Sequence, residues 1–237
     1  MWWTNSENQK TLYQRIVLKR EIIQTKDGST TIHLPDWDES YHSKHGAIQE
    51  AYHVFIKNGL LLFGQKPICV LEIGFGTGLN AFITYLEAKK NNQLIEYVGV
   101  EGYPVTNDEA LQMNYPDQID SSEQNIFNKM HECDWEQKNQ VVKNFTLTKR
   151  KQFFQDIKEE NAFDLIYFDA FGFRVQPELW SEAVFASMFK ALKTDGVLVT
   201  YACRTSIKKA MLSAGFSVEK LPGAPGKREM LRAIKAI

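Results

Sequence analysis

The sequence predicts an α/β fold, in which a mostly parallel sheet is covered by helices on both faces. Short apolar runs alternate with helical segments along most of the chain, a pattern typical of parallel strands joined by crossover helices. One of these runs, Ile68–Leu71, ends at Glu72 and continues through three alternating glycines into a helical segment. With 237 residues, 43% of them apolar, the chain is long enough to bury one such domain with an elaboration.

A β-hairpin and a helix are predicted ahead of this sheet. The segments Arg15–Gln24 and Thr30–Leu34 are rich in β-branched residues, and Asp27-Gly28 between them favours a tight turn. Ser43 is a candidate N-cap for a helix that ends near Asn58. The hairpin and the helix together are expected to form an N-terminal elaboration.

The main domain is predicted in residues 63–237, after the elaboration in residues 1–62. It is expected to be a sheet of seven strands: Ile68–Leu71, Ile95–Val100, Phe145–Thr148, Phe163–Phe168, Gly196–Ala202, Phe216–Lys220 and Glu229–Ile237. Its clearest predicted helices are Leu79–Lys90, Pro177–Leu192 and Thr205–Ala214. The polar stretch between residues 105 and 143 is helix-like, with a break expected at Tyr115-Pro116.

Three glycines follow Glu72 at every second position, namely Gly74, Gly76 and Gly78. A dinucleotide-binding turn has its third glycine at the sixth position, which is Leu79 in this chain. Glycines at positions one, three and five behind an acidic residue resemble instead the first motif of the class I S-adenosylmethionine-dependent methyltransferases. Bare backbone lets the methionine part of that cofactor approach, and free N–H groups at the helix start suit its carboxylate. A nicotinamide or flavin cofactor, and a tight turn without a ligand, are the alternatives.

A second acidic residue follows the next predicted strand. The run Ile95–Val100 is apolar, and Glu101 ends it. In folds of this type the acid after the second strand bonds the paired ribose hydroxyls of a nucleotide. We therefore expect Glu101 to bind the ribose of the cofactor, with a solvated loop acid as the alternative.

Three segments, in this order, resemble one family, the methyltransferase domain of MnmC and its stand-alone form, MnmD. They are Glu72–Asn80, Phe168–Trp180 and Gly223–Met230, and the resemblance covers about residues 30–237. It implies a class I, Rossmann-like methyltransferase fold with S-adenosylmethionine as the cofactor. It also implies methylation of the amine of 5-aminomethyluridine, or of its 2-thio form, at the wobble position of tRNA. The product is then the 5-methylaminomethyl nucleoside, and the anticodon loop of tRNA is the expected partner.

The glycine motif and the resemblance together indicate a set of site residues. The expected cofactor-binding residues are Glu72, Gly74, Gly76, Gly78, Asn80 and Glu101. The catalytic candidate is Asp169, which ends the predicted strand Phe163–Phe168. A carboxylate there can hold the substrate amine and accept its proton. The alternatives are that Asp169 only caps its loop, or that desolvation alone activates the amine.

The loop after Asp169 and the basic end of the chain suit a single-stranded nucleic acid. Aromatic rings can stack on an unpaired wobble base, and Lys or Arg can contact phosphates. The candidates are Phe171, Phe173, Arg174, Lys227 and Arg228. Residues 201–237 carry eight Lys and Arg against two Asp and Glu, in a chain whose net charge is −1. This asymmetry favours a localised contact with a polyanion, with a solvated basic face as the alternative.

One segment departs from the family pattern. Related sequences commonly carry an acidic residue after the third strand, near the adenine, whereas this chain has Lys149 and Arg150 there. We expect Gln152 or backbone atoms to make that contact. Weaker candidates for lining the pocket come from the N-terminal elaboration, namely Tyr41, His42 and His45.

Several functional classes are not expected. No apolar stretch reaches the roughly 18 residues of a membrane span, and the start of the chain lacks a secretory signal, so we expect a cytoplasmic protein without membrane contact. The three cysteines form no Cys-x-x-Cys pair, so no metal site is expected. Because the chain ends after its last predicted strand, no FAD domain is expected. The alternative functions are methylation of a small-molecule amine, a nicotinamide-dependent oxidoreductase, and a nucleotide-binding module without catalysis.

Overall fold

Two sheets organise residues 19–236, the part of the chain that this computed structural model describes. The smaller sheet is antiparallel and consists of β1 (Glu21–Gln24), β2 (Thr30–Leu34) and β3 (Glu39–Ser40). It confirms the predicted hairpin, since Gln24 pairs with Thr30 across the turn. Residues 15–18 of the first predicted strand lie outside the described residues.

The larger sheet has eight strands. They are β4 (Ile68–Ile73), β5 (Ile95–Glu101), β6 (Lys138–Val142), β7 (Phe145–Lys151), β8 (Phe163–Phe168), β9 (Leu192–Thr200), β10 (Ser217–Pro222) and β11 (Glu229–Ile234). Their order across the sheet is β10-β11-β9-β8-β4-β5-β7-β6. The five central strands, from β9 to β7, are parallel, while β6, β10 and β11 pair antiparallel at the two edges. The predicted mostly parallel α/β sheet is therefore confirmed, with one strand more than expected.

The described residues contain seven α-helices. They are α1 (Ala47–Ala51), α2 (Leu79–Asn91), α3 (Asn107–Ala110), α4 (Tyr115–Ile119), α5 (Gln124–Glu132), α6 (Glu182–Ala191) and α7 (Thr205–Ser213). A π-helical turn, Tyr52–Lys57, continues α1. Short 3-10 turns are Pro35–Trp37, Leu60–Phe63, Ser121–Glu123, Phe154–Asp156 and Pro177–Trp180. None of the helices in residues 19–236 is long and apolar enough to cross a membrane.

The additional strand, β6, lies in the segment that the sequence predicts as helix-like. It pairs only with β7, at the edge of the sheet, and Val141 is its one buried residue. A strand this polar lacks the alternation of apolar and polar residues by which strands are predicted. It forms because it pairs with the neighbouring strand. The break expected at Tyr115-Pro116 is present, since α3 ends at Ala110 and α4 begins at Tyr115. Pro116 lies in the first turn of α4, where a missing N–H costs no hydrogen bond.

Helix α1 begins later than the sequence predicts. Its N-cap is Gly46, and no side chain caps it. The hydroxyl of Ser43 instead accepts a 3.1 Å hydrogen bond from the backbone N–H of His45, in a turn before the helix. Short-range hydroxyl bonds of this kind compete with capping.

Strand β4 is buried on both faces, so the turn at its end rests on a rigid base. Val70 packs into one hydrophobic layer and Leu71 into the other, and each is at most 1% exposed. Burying each side chain contributes about 1.5–3 kcal/mol relative to exposure. The first layer also contains Ile32 and Ala51 from the N-terminal elaboration. The elaboration therefore shares its core with the sheet, and the boundary expected at residues 62 and 63 stays a prediction.

Candidate active site

A cleft of about 980 Å³ opens at the carboxyl ends of β4, β5 and β8, where open α/β sheets bind ligands. The small N-terminal sheet closes part of its mouth. The residues that line it include Gly74, Gly76, Glu101, Asp169 and Phe171. These five residues, all predicted from the sequence, are thus brought together in one cleft.

The glycine turn after β4 allows separate parts of the protein to approach each other. A Cβ atom on Gly74 would lie 2.6 Å from the backbone oxygen of Asp169, and one on Gly78 would lie 2.8 Å from Nε2 of His131. Both glycines have positive φ angles, 92° and 73°, which glycine adopts without strain. At these two positions the missing side chains make room for the protein's own chain.

Backbone N–H groups in the first part of this turn are bound within the protein, while the expected binding of a cofactor by N–H groups at the helix start stays a prediction. Gly74 and Phe75 both donate to the carbonyl oxygen of Val100 at 3.0 Å. Gly76 donates to a carboxylate oxygen of Glu101 at 3.0 Å. The physical reason is that the turn supplies donors to the end of β5, whose buried acceptors need partners.

Two backbone N–H groups hold Glu101 at the cleft. Its oxygens accept hydrogen bonds from Gly76 at 3.0 Å and from Tyr103 at 2.9 Å. Burial raises the pKa of the Glu101 carboxyl, and these hydrogen bonds oppose the rise. A carboxylate has about four acceptor positions, so Glu101 keeps capacity for hydroxyl groups of a ligand. The ribose contact stays a prediction, with this geometry in its favour.

Glu72 and Asn80 lie beneath the cleft rather than in its wall. Glu72 is fully buried, and its oxygens accept from the Asn80 amide at 2.9 Å and from the Tyr97 hydroxyl at 2.8 Å. Burial raises the pKa of Glu72 well above its ordinary value. Asn80 is 2% exposed, and its amide also donates to Asp169 at 2.8 Å. Since neither side chain reaches the cleft, this geometry favours support of Asp169 over the direct cofactor contact expected of them.

Asp169 presents to the cleft a carboxyl group whose pKa lies near neutral pH. Its backbone N–H donates to the carbonyl oxygen of Ile73 at 2.9 Å, and its Oδ2 accepts from Asn80 at 2.8 Å. Burial raises the pKa of Asp169 to about 7, and the Asn80 hydrogen bond opposes the rise. A carboxyl group with such a pKa can take up and release a proton at physiological pH, as a general base must.

Phe171 and Phe173, both candidates for base stacking, face different sides of the sheet. Phe171 lines the cleft, and its ring packs edge-on against Trp37 and Tyr41, with ring centroids 5.8 and 5.0 Å apart. Phe173 packs against the opposite hydrophobic layer, 5.2 Å from the guanidinium of Arg204. Phe171 therefore keeps the position that stacking requires, and Phe173 does not.

Two of the three cations predicted to contact phosphate are engaged within the protein. Arg174 donates to the carbonyl oxygens of Trp37 at 2.8 Å and Asp38 at 2.7 Å, and so fastens the turn before β3. Lys227 Nζ lies 2.5 Å from Oε1 of Glu50. A phosphate would have to compete with these partners, so the geometry disfavours both contacts, which stay predictions. Arg228 is exposed and stays a candidate phosphate contact.

Lys149 and Arg150, near the carboxyl end of β7, both turn away from the cleft. Lys149 is 1% exposed and donates to the carbonyl oxygen of His131 at 2.5 Å. Arg150 forms an ion pair with Glu159. Gln152 lines the cleft, so the adenine contact expected of it stays a prediction that the geometry favours.

His42 and His131 are buried on either side of the glycine turn. His42 Nε2 lies 2.9 Å from the Thr77 hydroxyl, and His131 Nε2 donates to the Thr77 carbonyl oxygen at 3.2 Å. Burial lowers the pKa of each imidazole to about 4, so both are neutral at pH 7. Tyr41 and His42 line the cleft as expected, whereas His45 is exposed and packs against Gly226.

Two residues of the site are absent from the sequence-based prediction. Tyr201 lines the cleft, and its hydroxyl donates to the carbonyl oxygen of Ala170 at 2.9 Å. Its place directly after β9, at the same sheet edge as Asp169, is the signal that could reveal it. Arg20 also lines the cleft and pairs with Glu109 at 2.9 Å. It lies in a segment without a motif, and no sequence signal points to it.

Comparison with known proteins gives the class of enzyme. Residues 119–236 match a family described as S-adenosyl-L-methionine-dependent methyltransferase. Residues 119–236 belong to this methyltransferase family. The cofactor is therefore S-adenosylmethionine, and the nicotinamide and flavin alternatives are not supported.

Two similar proteins are each named tRNA 5-methylaminomethyl-2-thiouridine biosynthesis bifunctional protein MnmC. The one from Polaromonas naphthalenivorans is 29% identical over 231 residues, which cover 91% of this chain and 36% of the relative. The one from Cupriavidus metallidurans is 27% identical over 232 residues, with coverages of 91% and 34%. This methyltransferase thus spans about a third of the length of the curated relatives that it matches.

Solved structures confirm the fold. The crystal structure of MnmC2 from Aquifex aeolicus matches with a TM-score of 0.74 at 20% identity, covering 99% of this chain and 79% of that chain. Spermidine synthase from Thermotoga maritima matches with a TM-score of 0.54 at 15% identity, covering 93% and 70%. The predicted class I methyltransferase fold is therefore confirmed.

The residues of the cleft fit S-adenosylmethionine. Glu101 offers acceptor oxygens at the end of β5, to which the paired hydroxyl groups of a ribose can donate. Bare backbone at Gly74 and Gly76 borders the cleft next to Asp169. Gln152 and the neighbouring aromatic residues form a wall suited to a flat base.

Proposed function

We propose that this methyltransferase methylates the amine of 5-aminomethyluridine, with or without a 2-thio group, at the wobble position of tRNA. The observation that carries the proposal is the carboxyl group of Asp169, which lines the cleft beside Phe171 and has a pKa raised to about 7. The names of the relatives, which concern 5-methylaminomethyl-2-thiouridine, support the same substrate. With tRNA as the substrate, the activity is expected in the cytoplasm.

The raised pKa of Asp169 suits a substrate amine that must lose a proton before it reacts. An alkyl ammonium group titrates near 10.4, as lysine does, so direct transfer of its proton to Asp169 is uphill by roughly three pKa units, about 5 kcal/mol. Transfer to an aspartate with the ordinary pKa of 3.8 would be uphill by roughly 9 kcal/mol. Burial of Asp169 therefore lowers the cost of the proton transfer by on the order of 4 kcal/mol.

The protein's other contribution to the reaction is alignment. When bound, S-adenosylmethionine supplies a methyl group made electrophilic by its positively charged sulfur. Asn80 holds Oδ2 of Asp169, and the Ile73 carbonyl holds its backbone N–H. Among the hydrogen bonds of residues 19–236 none engages Oδ1, so this oxygen is left to hold the substrate amine. Holding the reacting groups in this way removes entropy that an encounter in solution would have to supply.

Phe171 is the residue that we assign to the substrate base. Its ring lies in the cleft next to Asp169 and is anchored by edge-on contacts with Trp37 and Tyr41. An unpaired wobble uracil, turned out of the anticodon loop, can stack on such a ring. Arg228, exposed on the loop between β10 and β11, is the candidate phosphate contact.

Nucleoside mass spectrometry tests this proposal. A tRNA carrying 5-aminomethyluridine is incubated with the protein and S-adenosylmethionine, and the same tRNA with unmodified uridine serves as the matched control. We expect one added methyl group on the first substrate and none on the second. The variant Asp169→Asn should still bind S-adenosylmethionine in a calorimetric titration but lose at least 100-fold in rate. A wild-type protein that binds the cofactor and leaves 5-aminomethyluridine unmethylated would overturn the proposal.

A further inference from the structure

Three residues, of which only Lys227 is among the predicted site residues, connect helix α1 to the backbone next to Asp169. We call Glu50, Lys227 and Tyr201 the support cluster. Lys227 Nζ lies 2.5 Å from Glu50 Oε1 and 3.8 Å from the centroid of the Tyr201 ring. The Tyr201 hydroxyl in turn donates to the carbonyl oxygen of Ala170 at 2.9 Å. The contacts run without a gap from α1 to the residue that follows the catalytic candidate.

The ion pair in the support cluster is largely enclosed by the protein. The side chain of Glu50 is 11% exposed and that of Lys227 is 31% exposed, whereas both partners of the Lys138–Glu96 pair are about half exposed. Removing two charges from water costs free energy that their attraction only partly offsets. An ion pair that is removed from water therefore adds little to the stability of the fold. Its presence beside the cleft favours a role in the site instead.

The loop between β10 and β11 is held in place by the N-terminal helical segment. Nε2 of His53 donates to the carbonyl oxygen of Pro222 at 2.8 Å, at one end of this loop. Near its other end, a Cβ atom on Gly226 would lie 2.7 Å from the His45 ring. Both contacts restrict the position of Lys227, which comes directly after Gly226.

We propose that Glu50, Lys227 and Tyr201 are positioning residues for Asp169, and that they set both its orientation and its charge. The proposal rests on the proposed function for the substrate used to test it. Tyr201 fixes the peptide group between Ala170 and Phe171, one peptide group beyond the one that joins Asp169 to Ala170. Lys227 fixes the Tyr201 ring, and Glu50 fixes Lys227. The N-terminal elaboration thereby becomes part of the catalytic machinery.

The two charges of the cluster act on Asp169 in opposite directions. Lys227 lowers the pKa of Asp169, and Glu50 raises it. The titratable groups that interact with Asp169 comprise these two and also Glu72, Tyr97, Tyr115 and Tyr201. A substitution at residue 50 or 227 removes none of the latter four groups, so the opposite effects of the two charges can be measured against the same background.

Single and double substitutions of the ion pair test the proposal. Lys227→Met should raise the midpoint of the acidic limb of the pH–kcat profile, and Glu50→Gln should lower it, each by about half a pH unit. The double variant should return the midpoint toward that of the wild type, because both charges are gone. Each of the three variants, and Tyr201→Phe, should lose about tenfold in kcat with less than a twofold change in KM for S-adenosylmethionine.

Matched controls separate positioning from general loss of structure. Lys138→Met and Glu96→Gln break an ion pair near the far edge of the sheet and should leave kcat and the midpoint unchanged. Lys227→Arg keeps the charge and should recover most of the rate. Midpoints that move in the same direction for Lys227→Met and Glu50→Gln, or four variants with wild-type kcat, would overturn the proposal.

A readout without catalysis distinguishes this proposal from the proposed function. The carboxyl carbon of Asp169, labelled with carbon-13 and assigned by its loss in Asp169→Asn, reports its titration by NMR in the protein alone. We expect the same opposite displacements for Lys227→Met and Glu50→Gln. If the midpoints move in opposite directions while the wild type leaves 5-aminomethyluridine unmethylated, the role of the support cluster is upheld and the proposed substrate is contradicted. If the Asp169 titration is unchanged in both variants, the support cluster fails whatever the substrate.

Discussion

Asn80 donates a 2.8 Å hydrogen bond from its side-chain amide to Oδ2 of Asp169. The same amide donates to Glu72 at 2.9 Å. An amide nitrogen only donates hydrogen bonds, so it favours a carboxyl oxygen that carries no proton. One buried side chain thus orients the catalytic candidate and separates two acidic groups whose ionised forms would repel each other.

Replacement of Asn80 by Leu should therefore impair both stability and reaction. The change leaves two buried carboxyl groups without their shared donor, which costs about 1–3 kcal/mol for each unsatisfied group. It also frees Asp169 to rotate, so kcat should fall at least tenfold. Urea unfolding and steady-state kinetics measure the two effects. Asn139→Leu, at the edge strand β6, is the matched control, and an equal loss in both variants would contradict the assigned role.

The substitution Asp169→Asn should make the folded protein more stable at pH 8. The pKa of Asp169 is raised from 3.8 to about 7 on folding, so its ionisation disfavours the folded state and this penalty grows as the pH rises through that range. Asparagine carries no such penalty. We expect the variant to gain on the order of 1–4 kcal/mol at pH 8 and less at pH 5. Urea unfolding at both values measures the difference, and an identical difference at pH 5 and pH 8 would argue against the raised pKa.

His131 should make the protein less stable in acid. Burial lowers its pKa from 6.5 to about 4, so between these values the unfolded chain binds a proton that the folded protein excludes. Stability from this group is complete above pH 6.5 and is lost as the pH falls toward 4, by about 2 kcal/mol at pH 5. The variant His131→Gln should show a smaller loss between pH 7 and pH 5 in urea unfolding. An unchanged pH dependence in this variant would show that His131 is protonated in the folded protein.

Gly74 and Gly64 offer a controlled test of the contact between the glycine turn and Asp169. Both have positive φ, but a Cβ atom on Gly74 would lie 2.6 Å from the Asp169 backbone oxygen, whereas one on Gly64 meets nothing within 4 Å. Gly64→Ala should therefore cost about 1–2 kcal/mol in backbone strain and keep its activity. Gly74→Ala should suffer the same strain and in addition displace Asp169, with a loss of at least tenfold in kcat. Equal activity of the two variants would mean that Asp169 tolerates the displacement.

The positions of the main site residues could be predicted because they depend on local patterns. Glu101 and Asp169 follow apolar strands, and the carboxyl ends of parallel strands meet at one edge of a sheet. The glycine turn was recognisable from its spacing for the same reason. The strand β6 was not, since it is polar and owes its pairing to β7.

The partners of these residues could not be predicted, because they come from distant parts of the chain. Nothing near Lys227 in the sequence indicates that Glu50 neutralises it, and its basic neighbourhood suggested a phosphate instead. Asn80 belongs to the glycine motif, but only the fold reveals that it faces Asp169 rather than the cleft. Sequence patterns locate strand ends, whereas the direction of a side chain depends on packing.

The contact between His53 and Pro222 joins residues that lie 169 positions apart. The helical segment that contains His53 is translated early. The loop that contacts it is translated only near the end of the chain. During that interval the glycine turn and Glu101 are already present, whereas Asp169 and its partners Tyr201 and Lys227 are not. A nascent chain should therefore acquire the means to hold its cofactor well before it acquires the means to use it.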